Sequence, residues 1–365
     1  MKFTAEREKL LAALQAVIGV VERRQTMPVL ANVLLSVREG RLSVTATDLE
    51  VELVASAQVV GQSDGEVTVP GRKLLDICRS LPERVQVLLA VDGDKATIRG
   101  GKSRFSLSTL PASEFPVIDE INVQQTLSIS QGELKRLLDK THFSMAQQDV
   151  RYYLNGMLLE TDGKLVRTVA TDGHRLALCE TGLSTPARGS CQVIIPRKGV
   201  LELQRILGTE GDTEVVIGGN HVRVTIGDIR FTSKLIDGRF PEYSRVIPAN
   251  PTRIVQTERD GLRAALQRTA ILSNEKYRGI RLALRENILT IQAHNPEQEE
   301  AEEEVEVSYS GEEMEVGFNV NYLLDALGAI ETEEVQIGLT DSNSSCLIYA
   351  PGTKATKYVV MPMRL

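Results

Sequence analysis

Asp172 and His174 stand two residues apart in Thr171-Asp172-Gly173-His174-Arg175, the stretch of this chain that looks most like a catalytic loop. A carboxylate beside an imidazole can orient a general base. Catalysis would also need a nucleophile or a metal, and the sequence has no G-x-S-x-G elbow, P-loop, G-x-G-x-x-G or H-E-x-x-H to supply one. An Asp-Gly turn accounts for the same residues without chemistry. A second charged feature is the acidic run Glu297-Gln298-Glu299-Glu300-Ala301-Glu302-Glu303-Glu304. Such a run is a solvated face, a weak metal site or one side of an interface. A third is the end Val359-Val360-Met361-Pro362-Met363-Arg364-Leu365, which places apolar, adaptable methionines where solvation favours polar residues. An exposed apolar patch there points to binding. Cys78, Cys179, Cys191 and Cys346 lie far apart with no C-x-x-C pair, so they read as reduced thiols, Cys78 as plain core. No metal or cofactor is expected.

The elements that must position these residues come in three copies. Phe3-Thr4, Leu127-Ser128 and Ile254-Val255 each lead, at a period of roughly 125 residues, into an amphipathic helix. Its apolar stripe is Leu10, Ala13, Leu14, Val17 in the first copy, Leu134, Leu137, Leu138, Thr141 in the second, and Leu262, Ala265, Leu266, Thr269 in the third. A strand pair and a turn follow: Thr47-Asp48-Leu49-Glu50, Thr171-Asp172-Gly173-His174, and the diverged Ala293-His294-Asn295-Pro296. Val69-Pro70-Gly71-Arg72-Lys73 and Ile195-Pro196-Arg197-Lys198-Gly199 then open a second helix, with a faint echo at 317–321. The fold class is α+β, each unit being two β-α-β-β-β halves with two helices backed by antiparallel sheet. Pro-containing linkers separate domains at 1–120, 126–245 and 253–365. No apolar run approaches a membrane span and Met1-Lys2-Phe3-Thr4 opens directly into the repeat, so a cytoplasmic protein is expected.

The formal net charge is −7, yet the six helical segments (6–20, 71–81, 130–143, 197–207, 257–272 and 319–330) are together net positive. Basic residues on a solvated helix face are ordinary. Equivalent helices in equivalent domains would instead share one surface, and a positive surface within an acidic chain suits a phosphate backbone. With no base-reading motif in sight, contacts would go mostly to phosphates and ignore sequence. A scaffold that binds only proteins would need the C-terminal patch but not the positive helices.

Met1-Lys2-Phe3-Thr4, Thr47-Asp48-Leu49-Glu50, Phe105-Ser106-Leu107-Ser108-Thr109-Leu110-Pro111, Gln148-Asp149-Val150-Arg151-Tyr152-Tyr153-Leu154-Asn155-Gly156, Ala170-Thr171-Asp172-Gly173-His174-Arg175-Leu176 and Met361-Pro362-Met363-Arg364-Leu365 together resemble the bacterial β sliding clamps, the processivity subunits of DNA polymerase III, along the whole chain. The resemblance implies a non-catalytic clamp that closes as a head-to-tail homodimer around duplex DNA, with its helices facing the hole. It implies DNA contacts at Arg24, Arg72, Gln148, Tyr152, Tyr153, Arg197 and Lys198, although a buried tyrosine pair opening a strand would look the same. It also implies a groove for short linear motifs of the replicative polymerase, clamp loader, repair polymerases and mismatch-repair proteins. The groove residues carried over are Leu154, Thr171, Gly173, His174, Arg175, Leu176, Pro241, Arg245, Val246, Tyr322 and Val359 to Leu365 (Val359, Val360, Met361, Pro362, Met363, Arg364, Leu365). Asn343 departs from the aliphatic usual at the rim and Cys346 lies nearby, which leaves peptide preference open.

The dimer seam has a signature independent of the family. The acidic run of the third repeat has an opposite-sign counterpart in Lys95, Arg99, Lys102 and Arg104 of the first. Complementary edges on the first and last of three domains predict head-to-tail joining, and two such joins close a ring. The resemblance adds Lys73, Phe105 and Leu107 on one side and Ile271 and Leu272 on the other, beside Arg99, Arg104, Glu299, Glu302 and Glu303.

Overall fold

The structure is a computed structural model that describes residues 1–21, 27–118 and 120–364. Among them all six expected helices form: α1 (Arg7–Val17), α2 (Gly71–Ser80), α3 (Gln131–Asp139), α4 (Arg197–Ile206), α5 (Arg259–Thr269) and α6 (Val320–Ala329). Helical spacing puts each apolar stripe on one face. Leu10 and Leu14, Leu134 and Leu138, and Leu262 and Leu266 are accordingly buried. Thr141 and Thr269 extend the same stripes inward, where their hydroxyls donate to the carbonyls of Leu137 (2.7 Å) and Ala265 (2.9 Å) and so stay satisfied. Helices α1, α3 and α5 are shorter than their apolar spacing suggests, because 3-10 turns at Ile18–Val20, His142–Ser144 and Ala270–Leu272 follow them.

The strand order within each β-α-β-β-β half is as expected, but the pairing is crossed. The strand that leads one half joins the three strands of the other. Lys2–Glu6 pairs with Gln86–Asp92, and Gly65–Pro70 pairs with Asn32–Arg38. The same exchange links Val123–Ser130 to Asp212–Gly218, Cys191–Pro196 to Gly156–Thr161, Arg253–Glu258 to Glu334–Leu339, and Met314–Asn319 to Gly279–Arg285. Neither half can bury its sheet without the other.

Two further pairings cross the repeat boundaries. Ile229–Lys234 pairs antiparallel with Val51–Gln58, and Thr356–Val360 with Arg175–Gly182. These fuse four of the sheets into two eight-stranded ones and leave a five-stranded and a four-stranded sheet. Through these joins the chain groups into two compact units, Met1–Lys135 with Lys198–Leu235, and Arg136–Arg197 with Ile236–Leu365. At the first join Phe231 faces Leu53, both fully buried, and Thr232 faces Glu52. Burial raises the Glu52 carboxyl, and the carboxylate accepts the Ile118 amide at 2.9 Å. In the five- and four-stranded sheets, Ser103–Ser108 and Glu300–Glu306 lie outermost with one neighbour each.

The joins hold by apolar contact, so Phe231→Ala should destabilise the chain by about 3–5 kcal/mol in urea unfolding. A loss under about 1 kcal/mol would show that this strand pair contributes little to the fold.

Candidate functional site

The Thr-Asp turns are built identically where they recur. Thr171 Oγ1 donates to the Arg175 carbonyl (2.6 Å) and accepts the Gly173 amide (3.1 Å), while Asp172 Oδ1 accepts the amides of His174 (2.9 Å) and Arg175 (3.0 Å). Thr47 and Asp48 make the same bonds to Leu49, Glu50 and Val51. The third residue is left-handed in both, Gly173 at φ +88° and Leu49 at φ +77°. Glycine takes that conformation without strain. Asp172 is therefore a turn builder, and its second oxygen accepts from Arg175 Nε at 3.1 Å, not from His174. Asp172 and His174 do not form a base-orienting pair.

Arg175 then reaches out of the turn. Its guanidinium donates to the Phe143 carbonyl (2.7 Å) and Asp325 of α6 (2.5 Å) and lies 4.5 Å from the centre of the Tyr322 ring. Three anchors fix the Thr171–Arg175 turn as the floor of an apolar cavity of about 190 Å³. Leu154, Thr171, Gly173, Arg175, Leu176, Pro241, Val246, Val359 and Met361, all expected from the sequence, line it together. Leu176 and Val359 are opposite one another across the second join, so the pairing that builds the fold also builds the pocket.

The chain end is strapped across this site. The Met361 amide donates to the His174 carbonyl (2.9 Å) and the Met363 amide to the Gly317 carbonyl (2.8 Å). Met361 lines the first cavity and also a second of about 410 Å³, which Pro362, Met363, Arg364 and Asn343 border. The tail residues thus divide between two hollows. Asn343 lines the second, whereas Cys346 is fully buried, its thiol pushed up to about 12 by burial. Val360 is buried within its strand, and Arg245 is exposed and paired to Glu242 at 2.8 Å. Leu365 lies outside the described residues.

Four lining residues were not expected there: Arg151, Tyr153, Glu242 and Tyr243. Arg151 is clamped to Asp149, and this hydrogen-bonded guanidinium holds the Asp149 carboxyl down to about 2. Tyr243 is held by buried charge. Its hydroxyl donates to Glu160, which also accepts from Arg167 at 2.5 Å, and Arg167 reaches Glu180 at 2.7 Å. Burial, then the Glu160 carboxylate, push the Tyr243 hydroxyl up to about 12. The sequence signal was faint: a Tyr within a Pro-flanked linker, paired to a Glu 83 residues away.

Of the expected DNA residues that the structure describes, only Tyr153 lines this cavity. Arg72 is exposed at the head of α2 and donates to the Val21 carbonyl at 2.6 Å. Gln148 is exposed at φ +56°, and Arg197 opens α4 with its guanidinium 3.4 Å from the Met145 carbonyl. Lys198 forms an ion pair with the carboxylate of Asp48. The tyrosine pair splits: Tyr152 is 58% exposed, whereas Tyr153 packs edge-on against it and into the cavity wall. Arg24 lies outside the described residues. Of the seam residues, Lys73, Arg99 and Arg104 are exposed, Phe105 and Leu107 half-buried on one side of the Ser103–Ser108 edge, and Ile271 is 75% exposed with half-buried Leu272 beside it. Glu302 accepts from Gln292, Glu299 from Asn295, and Glu303 from Arg268, which lowers the Glu303 carboxyl.

Paired β-α-β-β-β halves thus occur three times over, with a strapped apolar cleft on the last join. The whole chain matches one family in three consecutive parts: the N-terminal domain of the DNA polymerase III beta subunit over residues 1–119, the central domain over 128–242 and the C-terminal domain over 244–364. The beta sliding clamp of Pseudomonas aeruginosa is 57% identical and that of Escherichia coli K12 53% identical, each covering 100% of both chains. A crystal structure of the Pseudomonas aeruginosa subunit superposes with a TM-score of 0.98 at 56% identity over 100% of both chains, and a Caulobacter crescentus clamp with 0.95 at 40%, over 100% of this chain and 99% of that one. The chain belongs to the DNA polymerase III beta subunit family, the bacterial sliding clamps of DNA replication.

Removing the Tyr243 hydroxyl leaves the half-buried Glu160–Arg167 pair short of a donor. Tyr243→Phe should lower thermal stability by about 1–2 kcal/mol. Arg245→Ala, which breaks only an exposed ion pair, should change it by less than about 1 kcal/mol. Equal effects of the two would show that the Tyr243 network does not hold the groove wall.

Proposed function

We propose that two copies of this chain close head to tail into a ring around duplex DNA, sliding without regard to sequence, in the cytoplasm at the nucleoid. One observation carries this reading. Ser103–Ser108 and Glu300–Glu306, each at one end of its sheet, are the counterparts of the two partners in each internal join.

The equivalence sets a register. Ala46, Ala170 and Ala293 precede the three turns, and opposite them stand Leu53, Ala177 and Ala301. At the joins Leu53 faces Phe231 and Ala177 faces Tyr358. Phe105-Ser106-Leu107 corresponds to Phe231-Thr232-Ser233, so Phe105 of one copy faces Ala301 of the second and Arg104 faces Glu302. Ile271 and Leu272 then supply apolar cover beside the seam while the charges select head-to-tail orientation. Lys73 and Arg99 add basic charge on the same side. Arg24, Arg72, Gln148, Tyr152, Tyr153, Arg197 and Lys198 serve the DNA path through loose, salt-sensitive contacts, which suits a ring that must slide.

The cleft is the docking site for short linear motifs of polymerases, the clamp loader and repair proteins. A solved Pseudomonas aeruginosa clamp at 56% identity is bound to griselimycin, which supports a ligand groove in this fold. A motif lying across the tail would place one apolar side chain in the first cavity and meet Pro362, Met363 and Arg364 in the second, with His174, Tyr322 and Arg245 at the rim.

Directly opposed residues on antiparallel strands hold their Cβ atoms about 4.5–5.5 Å apart, close enough for a disulfide after small adjustment. With Cys191→Ser as background, Arg104→Cys with Glu302→Cys should oxidise to a covalent dimer, while Arg104→Cys with Glu304→Cys should cross-link far less on non-reducing gels. The reverse order would refute the register. Trimming Met363 to Leu365 should weaken griselimycin binding at least tenfold by calorimetry with the dimer intact, and unchanged binding would remove the tail from the groove.

A further inference from the structure

A further cavity, of about 600 Å³, lies beside the first and shares Tyr243 with it. The shared wall follows from strand geometry. Leu176 and Val359, opposite each other, line the first cavity; Leu178 and Lys357, the next pair but one along the same two strands, line the other. Residues two apart on a strand point to the same face at a separation of about 7 Å. The two hollows are therefore consecutive stations on one sheet face.

Their chemistry differs. Leu178, Ile247 and Leu347 give the larger hollow an apolar floor, and Lys354 and Lys357 stand at its rim. Arg167 and Glu180 also border it, but they neutralise each other at 2.7 Å. Among the described residues neither lysine has an ion-pair partner. The result is an apolar trough with uncompensated positive charge, continuous with the anchor pocket.

We propose that this trough takes the segment of a partner's linear motif that flanks the anchored residue, and that it selects segments carrying carboxylates beside an apolar side chain. The inference rests on the groove reading above. An extended peptide advances about 3.3 Å per residue, so a side chain two or three positions from the anchor reaches the trough. Its carboxylates meet Lys354 and Lys357 while its apolar side chain covers Leu178 and Leu347. Affinity for different partners then depends on residues outside the anchoring motif, which gives a clamp with one groove a means of ranking its clients.

The test uses three fluorescent peptides on the full-length protein: a hexapeptide with adjacent Leu and Phe as anchors, and the same peptide lengthened by Asp-Leu-Glu at its N or C terminus. One lengthened peptide should bind about fivefold tighter at low salt, the value expected of two exposed ion pairs. Lys354→Glu with Lys357→Glu should abolish that gain and leave the hexapeptide unchanged. Lys354→Gln with Lys357→Gln should reduce the gain without the added repulsion. A gain that persists in these variants, or no gain from either extension, overturns the trough while leaving the anchor pocket intact. A hexapeptide that fails to compete with griselimycin sinks the anchor pocket itself, and this inference with it.

Discussion

Unpaired strand edges govern this chain. A strand with free amides and carbonyls on one side recruits another strand, and proteins must cover, blunt or use such edges. Here two are used internally: Val51–Gln58 takes Ile229–Lys234, and Arg175–Gly182 takes Thr356–Val360. The repeat that produces these joins necessarily leaves one of each kind over, at the first and last sheets. They are opposite in charge, Arg99 and Arg104 against a strand that reads Glu300-Ala301-Glu302-Glu303-Glu304. In the proposed ring, attraction between unlike edges and repulsion between like ones favour head-to-tail pairing over edge-to-edge aggregation.

The same constraint places the binding groove. Strands that join repeats are buried on their core side, and their outer faces meet the linker that connects the domains. At the second join that face carries Leu176 and Val359, and the linker supplies Pro241, Tyr243 and Val246. What makes this join a site is what the first one lacks: a glycine in the turn, an arginine braced on α6, and a chain end that returns over the strands. The tail binds backbone to backbone at His174 and Gly317, and Met361 and Met363 line the two cavities beside it.

Much of this was legible in the residues. The helical stripes, the Thr-Asp turns and the charge of the two outer edges are local features, and the buried Leu10, Leu134 and Leu262 stand where their spacing put them. Nine of the expected groove residues line one cavity because they sit on segments whose pairing the repeat dictates. The crossed pairing of lead strands was not legible. Nothing in Lys2–Glu6 states that it bonds to Gln86–Asp92 rather than to its own half, since both alternatives bury the same alternating face. Tyr243 was missed for a like reason: its partners Glu160 and Arg167 are ordinary strand residues until the linker folds over them. Tyr152 and Tyr153 read alike in the sequence, and only tertiary packing separates the exposed ring from the half-buried one.

On the proposed reading, the clamp holds DNA because its edges close, not because its side chains grip. Protein placed on a nicked circular plasmid by its loader and ATP, then passed through gel filtration at high salt, measures this directly. Closure predicts that the protein stays with the circle and is lost once the plasmid is cut to a linear form. Equal retention on circular and linear DNA would contradict it.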